Sequence, residues 1–262
     1  MWSSVASLQY QCLYAVVTKL LPYETIVQQM QQTRWDLKEI PSIHSPYVNV
    51  IVEQLNRFDA AYGQLLHSHD LTFLTASLIE DDHVDGDDDD GDGDDDDEDG
   101  NIMPLTKLEW LSRRIPITLW ECLLRALNRT FIEGFSTVRK CTNEGRALMQ
   151  LDYEQFLSHM EKLMTPCYYY YYYTNQQTAK SSLKSYLANE RLQVEEYIKA
   201  FYITESTFAD WIRQKSNVYT GKQIVSLITC IAGDNKKLQS SLLSVIDASS
   251  LEHSQSAPVT NE

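Results

Sequence analysis

The chain has 262 residues and 43% hydrophobic content, enough for one or two domains with an ordinary core, and a formal net charge of −15 at pH 7. Fifteen acidic residues and no Lys or Arg lie between Glu80 and Gly100, leaving 22 acidic against 22 basic residues elsewhere; that balance lacks the basic stripe that nucleic acid or anionic lipid would require. The five cysteines (Cys12, Cys122, Cys141, Cys167, Cys230) are odd in number, scattered and never spaced C-x-x-C, which argues against a disulfide framework or a zinc knuckle and fits reduced thiols in the cytosol.

At the start, Val5, Leu8, Cys12, Ala15/Val16 and Leu20 recur at spacings of three and four, which places them on one helical face. Gln9 and Gln11 interrupt the apolar residues there and no basic region precedes them, so a cleaved signal peptide is not expected. Pro22 ends this helix, and Ile26, Val27 and Met30 mark a shorter one. Ser45-Pro46 reads as an N-cap followed by proline at the first helical position. It opens a run with Tyr47/Val48, Ile51, Leu55, Phe58, Tyr62 and Leu65 on one face. Residues 1–79 are thus a first helical segment.

Residues 80–103 read as an acidic disordered linker. Between Glu80 and Gly100 the only residues other than Asp, Glu and Gly are His83 and Val84, too little apolar surface to offset ~1–2 kcal/mol of ordering entropy per residue. Excising residues 80–100 should therefore leave the helical circular dichroism and the melting midpoint nearly unchanged; a loss of several degrees would mean that the loop is docked.

Residues 104–166 form a second helical segment. Trp120, Leu123/Leu124, Leu127, Phe131 and Phe135 share one stripe, so Trp120 and Phe131 are expected in the core, and Leu148, Leu151, Phe156, Leu157, Met160, Leu163 and Met164 supply one or two more. Six consecutive tyrosines, Tyr168–Tyr173, then open a stretch without helical period, read as a low-complexity insert over 167–190. The period returns over 191–247, at Val194, Tyr197/Ile198 and Phe201, at Phe208 and Trp211/Ile212, at Ile224, Leu227/Ile228 and Ile231, and at Leu238, Leu242 and Val245/Ile246. Gly233 is placed as a left-handed C-terminal cap, and 248–262 reads as a loose polar tail. No alternating strand pattern of useful length appears. The expected class is all-α, a helical bundle or stacked helical rod segments with two low-complexity linkers, and no apolar run reaches the ~18 residues of a membrane span.

For chemistry, a phosphate-binding loop, a dinucleotide glycine fingerprint, an H-E-x-x-H helix and a G-x-S-x-G elbow are all missing. The histidines His44, His67, His69, His83, His159 and His253 do not stand at ligand spacing with Cys or carboxylates. Asp88-x-Asp90-x-Asp92-Gly93 with Asp99 satisfies most of a calcium-loop pattern, but an Asp-rich run does so by chance, and the apolar position after the glycine is acidic. An acidic calcium-binding helical protein is thus the alternative reading, and diffuse cation condensation the simpler one. Asn128-Arg129-Thr130 is a formal glycosylation sequon with no role in a cytosolic chain. No residue is singled out as catalytic, cofactor-binding or metal-binding, no cofactor is expected, and the chain is not expected to be an enzyme.

Residues 119–163, most specifically Lys140-Cys-Thr-Asn-Glu-Gly-Arg-Ala-Leu-Met-Gln-Leu-Asp152, resemble the C-terminal domain of the syndetin family. The match resumes at Val194-Glu-Glu-Tyr-Ile-Lys-Ala-Phe-Tyr202 and continues through Trp211-Ile212 and Lys222-Gln223; weaker similarity surrounds Leu21-Pro22-Tyr23-Glu24 and Ser45-Pro46-Tyr47-Val48. The resemblance implies a non-catalytic subunit of the endosome-associated recycling protein complex, a vesicle tether built of helical rods. Its implied partners are other tether subunits and SNARE proteins. Its implied place is the cytoplasm, peripheral to recycling endosomes through partners, returning cargo to the plasma membrane. Both low-complexity stretches depart from the family pattern. So does the lack, within these 262 residues, of the long N-terminal region with coiled coil; the chain is expected to be either a truncated gene model or a genuine fragment, and to capture the shared tether core poorly.

Overall fold

A computed structural model describes residues 2–67, 107–174 and 179–255. These form nine α-helices and no strand: α1 (Trp2–Leu20), α2 (Tyr23–Gln32), α3 (Pro46–His67), α4 (Lys107–Ser136), α5 (Asn143–Thr174), α6 (Ala179–Ala200), α7 (Glu205–Lys215), α8 (Gly221–Ala232) and α9 (Lys236–Gln255). The all-α class holds, and the expected starts and stops at Pro22, Pro46 and Gly233 sit at helix boundaries. Gly233 adopts φ 52° and ψ −122°, so the positive φ that favours glycine is present, but its ψ takes it out of the left-handed helical region.

Helix α4 is the hub. It packs against α1, α2, α3, α5, α6 and α8, while α7, α8 and α9 pack among themselves. Its stripe is the expected one: Trp120, Leu124, Leu127, Phe131 and Phe135 are all buried. Phe131 sits in an aromatic ring of neighbours, with centroids 5.0 Å from Phe156, 5.2 Å from Tyr153 and 6.2 Å from Tyr47. Contributions from α3, α4 and α5 therefore meet at one residue. A second aromatic group closes the other end, where Trp211 stacks between Phe208 and Tyr219 and Tyr219 meets Tyr197 edge-on. One continuous core spans both.

The segment joining α2 to α3 is tied down by its polar groups. The Trp35 indole N–H donates to the Met30 carbonyl at 3.1 Å, satisfying an acceptor at the end of α2. Thr142 does the same work from the other side: its hydroxyl accepts from the Gly145 N–H at the start of α5 and donates to the Leu37 carbonyl at 2.8 Å. Its own N–H reaches the Trp35 carbonyl at 3.1 Å. The backbones come so close here that a methyl group on Gly145 would overlap the Trp35 carbonyl oxygen, whereas one on Gly134 would meet the thioether end of Met30. Backbone cannot yield as a flexible side chain can. Gly145→Ala should lower the melting midpoint clearly more than Gly134→Ala; equal melts would show that the α2–α3 segment moves freely.

Two expectations need correction. The insert over 167–190 is helical in its described parts, because α5 runs through the tyrosines to Thr174 and α6 begins at Ala179. A run of identical residues shows no period, yet tyrosine is only mildly unfavourable in a helix. Within that span Glu190 is a buried residue of α6, paired with Arg125 of α4 at 2.9 Å. The tail read as loose from 248 is helical as far as Gln255, where α9 ends. The acidic linker, with His69, His83 and the Asp88–Asp99 loop, lies outside the described residues.

Candidate interaction surfaces

Several polar side chains join helices. Arg125 pairs with Glu190 and lies over the Tyr10 ring at 5.3 Å; Arg129 lies over Tyr14 at 5.5 Å and donates to its hydroxyl. These contacts seat α1 on α4. Lys215 with Glu196 links α7 to α6 at 2.6 Å, and Lys222 with Glu133 links α8 to α4 at 2.7 Å. A capping box, missed in the sequence although its T-x-x-Q spacing is visible there, starts α8: the Thr220 hydroxyl accepts from the Gln223 N–H, and the Gln223 side-chain Oε1 accepts from the Thr220 N–H.

Several of the described groups that could suggest chemistry make structural contacts instead. His44 bonds Asn49 and His159 bonds Asn56, at 2.8 and 2.9 Å. Asn128 and Thr130 of the sequon are buried in mid-helix, and the Asn128 carbonyl oxygen accepts from the Tyr153 hydroxyl at 3.0 Å, so no glycan fits there. Asp152 is fully buried and accepts from the Ser45 N–H and the Tyr47 hydroxyl, each at 2.7 Å. Burial raises its pKa in spite of these bonds and raises that of Tyr47 further still. A carboxylate–phenol pair is a potential acid–base unit, but one with no exposure to solvent cannot meet a substrate; this one latches α3 to α5.

Cys141 and Cys230 approach one another beside Arg146, which lies over the Tyr202 ring at 4.8 Å. Burial pushes the two thiols up to about 12 and about 11, and a thiol held protonated at neutral pH is a poor nucleophile. No cluster of three or more His, Cys, Asp or Glu able to hold a metal occurs among the described residues, and no described helix is long and apolar enough to cross a membrane.

What the surface offers is apolar area. Ile40 and Ile43, in the α2–α3 segment, are 60% and 72% exposed. On α1 the face that packs on α4 is Tyr10, Leu13, Tyr14 and Val17, whereas Leu8, Cys12, Val16 and Leu20 face outward. The stripe singled out by spacing is thus the uncovered one, because α1 is apolar on two opposite faces and periodicity alone does not say which one the fold uses.

Against known proteins, the sequence model described as "Syndetin, C-terminal" matches residues 104–247, just over half of the chain. The chain belongs to the syndetin family. It is 28% identical to syndetin of Rattus norvegicus and 29% identical to that of Mus musculus over 253 residues, which is 94% of this chain and 19% of each relative. Syndetin of Gallus gallus is 28% identical over 247 residues, 94% of this chain and 20% of its own length. The chain therefore spans about a fifth of the length of these syndetins. No solved structure matches. The syndetin-matched region runs through α4 to α9, and α1–α3 add to its core through Met30, Trp35, Tyr47, Ile51 and Phe58.

Proposed function

We propose that this chain is a non-catalytic part of a multisubunit vesicle-tethering complex that acts at recycling endosomes in the return of cargo to the plasma membrane. The observation that carries the reading is membership of the syndetin family, with 94% of the chain aligned to the rat, mouse and chicken proteins. The balanced charge outside the acidic run, the buried Cys141 and Cys230 thiols and the exposed apolar residues favour work by protein contact rather than by chemistry or direct lipid binding. Its partners in this reading are other tether subunits and SNARE proteins, and its place is the cytoplasmic side of the endosome, held there through those partners.

Affinity capture tests it. The 262-residue chain, expressed in cells and compared with the same chain joined behind the preceding part of the rat relative, should capture the shared tether core weakly alone and efficiently when joined. Efficient capture by the chain alone would move the assembly surface into α1–α9, and failure of both to capture any tether subunit or SNARE protein would sink the reading.

A further inference from the structure

One apolar stripe that spacing picks out in the sequence is left in water by this fold. Leu8 is 61%, Val16 47% and Leu20 45% exposed, with exposed Cys12 between them, so four residues at a spacing of four make a straight row along α1. Lys19 is the one charged residue in the helix. An apolar helix face is normally covered, and among the described residues the core covers the face of α1 bearing Tyr10, Leu13, Tyr14 and Val17, not the one bearing this row.

We infer that the Leu8–Cys12–Val16–Leu20 row is a docking seam for a helix of the polypeptide that precedes this block in syndetins. The matching region is the C-terminal one, and the rat and mouse relatives carry about four-fifths of their length outside it. Any polypeptide that precedes the block in a longer chain joins it at the N-terminal end of α1, on which the row lies. One four-residue row covers far less than the ~1,200–2,000 Å² that a stable association of separate chains requires. It suffices for a segment tethered to it, whose effective concentration is in the range of about millimolar. A second copy of the chain is therefore the poorer occupant. The inference rests on family membership and on the exposure of the row, not on the tethering reading, and either can fail without the other.

Cys12 reports on the seam directly. Its alkylation by a maleimide, followed at the level of individual peptides by mass spectrometry, should be fast and independent of protein concentration in the 262-residue chain. With the preceding polypeptide of rat syndetin joined ahead of Trp2, it should slow about a hundredfold. The double substitution Leu8→Glu with Val16→Glu, at exposed positions and with a good helix former, should restore the fast rate in the joined protein while its circular dichroism stays unchanged. Equal rates with and without the preceding polypeptide would overturn the inference, and slowing that grows with the concentration of the chain alone would assign the row to a second copy instead. Hydrogen exchange on natural rat syndetin supplies a measurement free of any junction. Amides aligned with residues 8–20 should be more protected in the intact protein than in its isolated C-terminal region, and equal protection would count against the seam.

Discussion

Trp120→Ala should destabilise the folded chain by about 3–5 kcal/mol, a large share of the ~5–15 kcal/mol that holds an ordinary domain together. The indole is fully buried and meets Phe58 edge-on at 5.2 Å, so it holds α3 against the first half of α4. Its N–H has no hydrogen-bond partner among the described residues. What alanine removes is then packing alone, and Trp120→Phe, which keeps most of the ring volume, should recover much of the loss. Urea denaturation followed by circular dichroism measures both. A Trp120→Ala chain as stable as the parent would mean that the α3–α4 contact contributes little, and the case for a single core running from α1–α3 into the syndetin-matched region would fall with it.

The helices were legible because their apolar residues contrast with polar neighbours at a period of 3.6. Trp120, Leu124, Leu127 and Phe131 declared α4, and Ile224, Leu227 and Ile228 declared α8. Contrast is also what failed. Tyr168–Tyr173 have no polar neighbours to be periodic against, so a helix that continues through them to Thr174 left no signal. Arg125 with Glu190 joins positions 65 apart, and Asp152 with Ser45 joins positions 107 apart; such pairs are set by how helices pack, which a single sequence does not encode locally. Family resemblance reached the C-terminal domain by the run Lys140–Asp152, and the structure gives that run a physical content. Thr142 caps α5, Gly145 lets the Trp35 carbonyl approach, and Asp152 receives Ser45 and Tyr47. The surface was the least legible part. Spacing proposed that Leu8, Cys12, Val16 and Leu20 belong together, which is correct, but the same spacing serves a stripe turned inward and one turned outward.

Asp152 makes the second large prediction, and it separates two effects of one carboxylate. Its side chain is the acceptor for the Ser45 N–H and the Tyr47 hydroxyl, both in buried residues. Asp152→Ala strips the partner from both, and an orphaned buried donor costs about 1–3 kcal/mol each. The substitution should therefore loosen the start of α3 and approach Trp120→Ala in severity. Asp152→Asn keeps one acceptor oxygen and the shape, and should be much milder. The pH dependence distinguishes charge from hydrogen bonding. Burial raises the folded pKa of Asp152 above the ordinary aspartate value, against the lowering effect of its bonds to Ser45 and Tyr47 and of nearby His44. The folded state thus holds this proton more tightly than the unfolded chain does, and the extra stability is fully present below the unfolded value of about 3.9. It is lost as pH rises through the raised folded value. Measured by urea denaturation between acid and neutral pH, the stability of the parent relative to Asp152→Asn should therefore be greatest in acid and decline as pH rises. Other carboxylates titrate in both proteins and cancel in that difference. A difference that is flat, or that grows toward neutral pH, would show that hydrogen bonds to the ionised form outweigh burial at Asp152, and that the latch between α3 and α5 is strongest when charged.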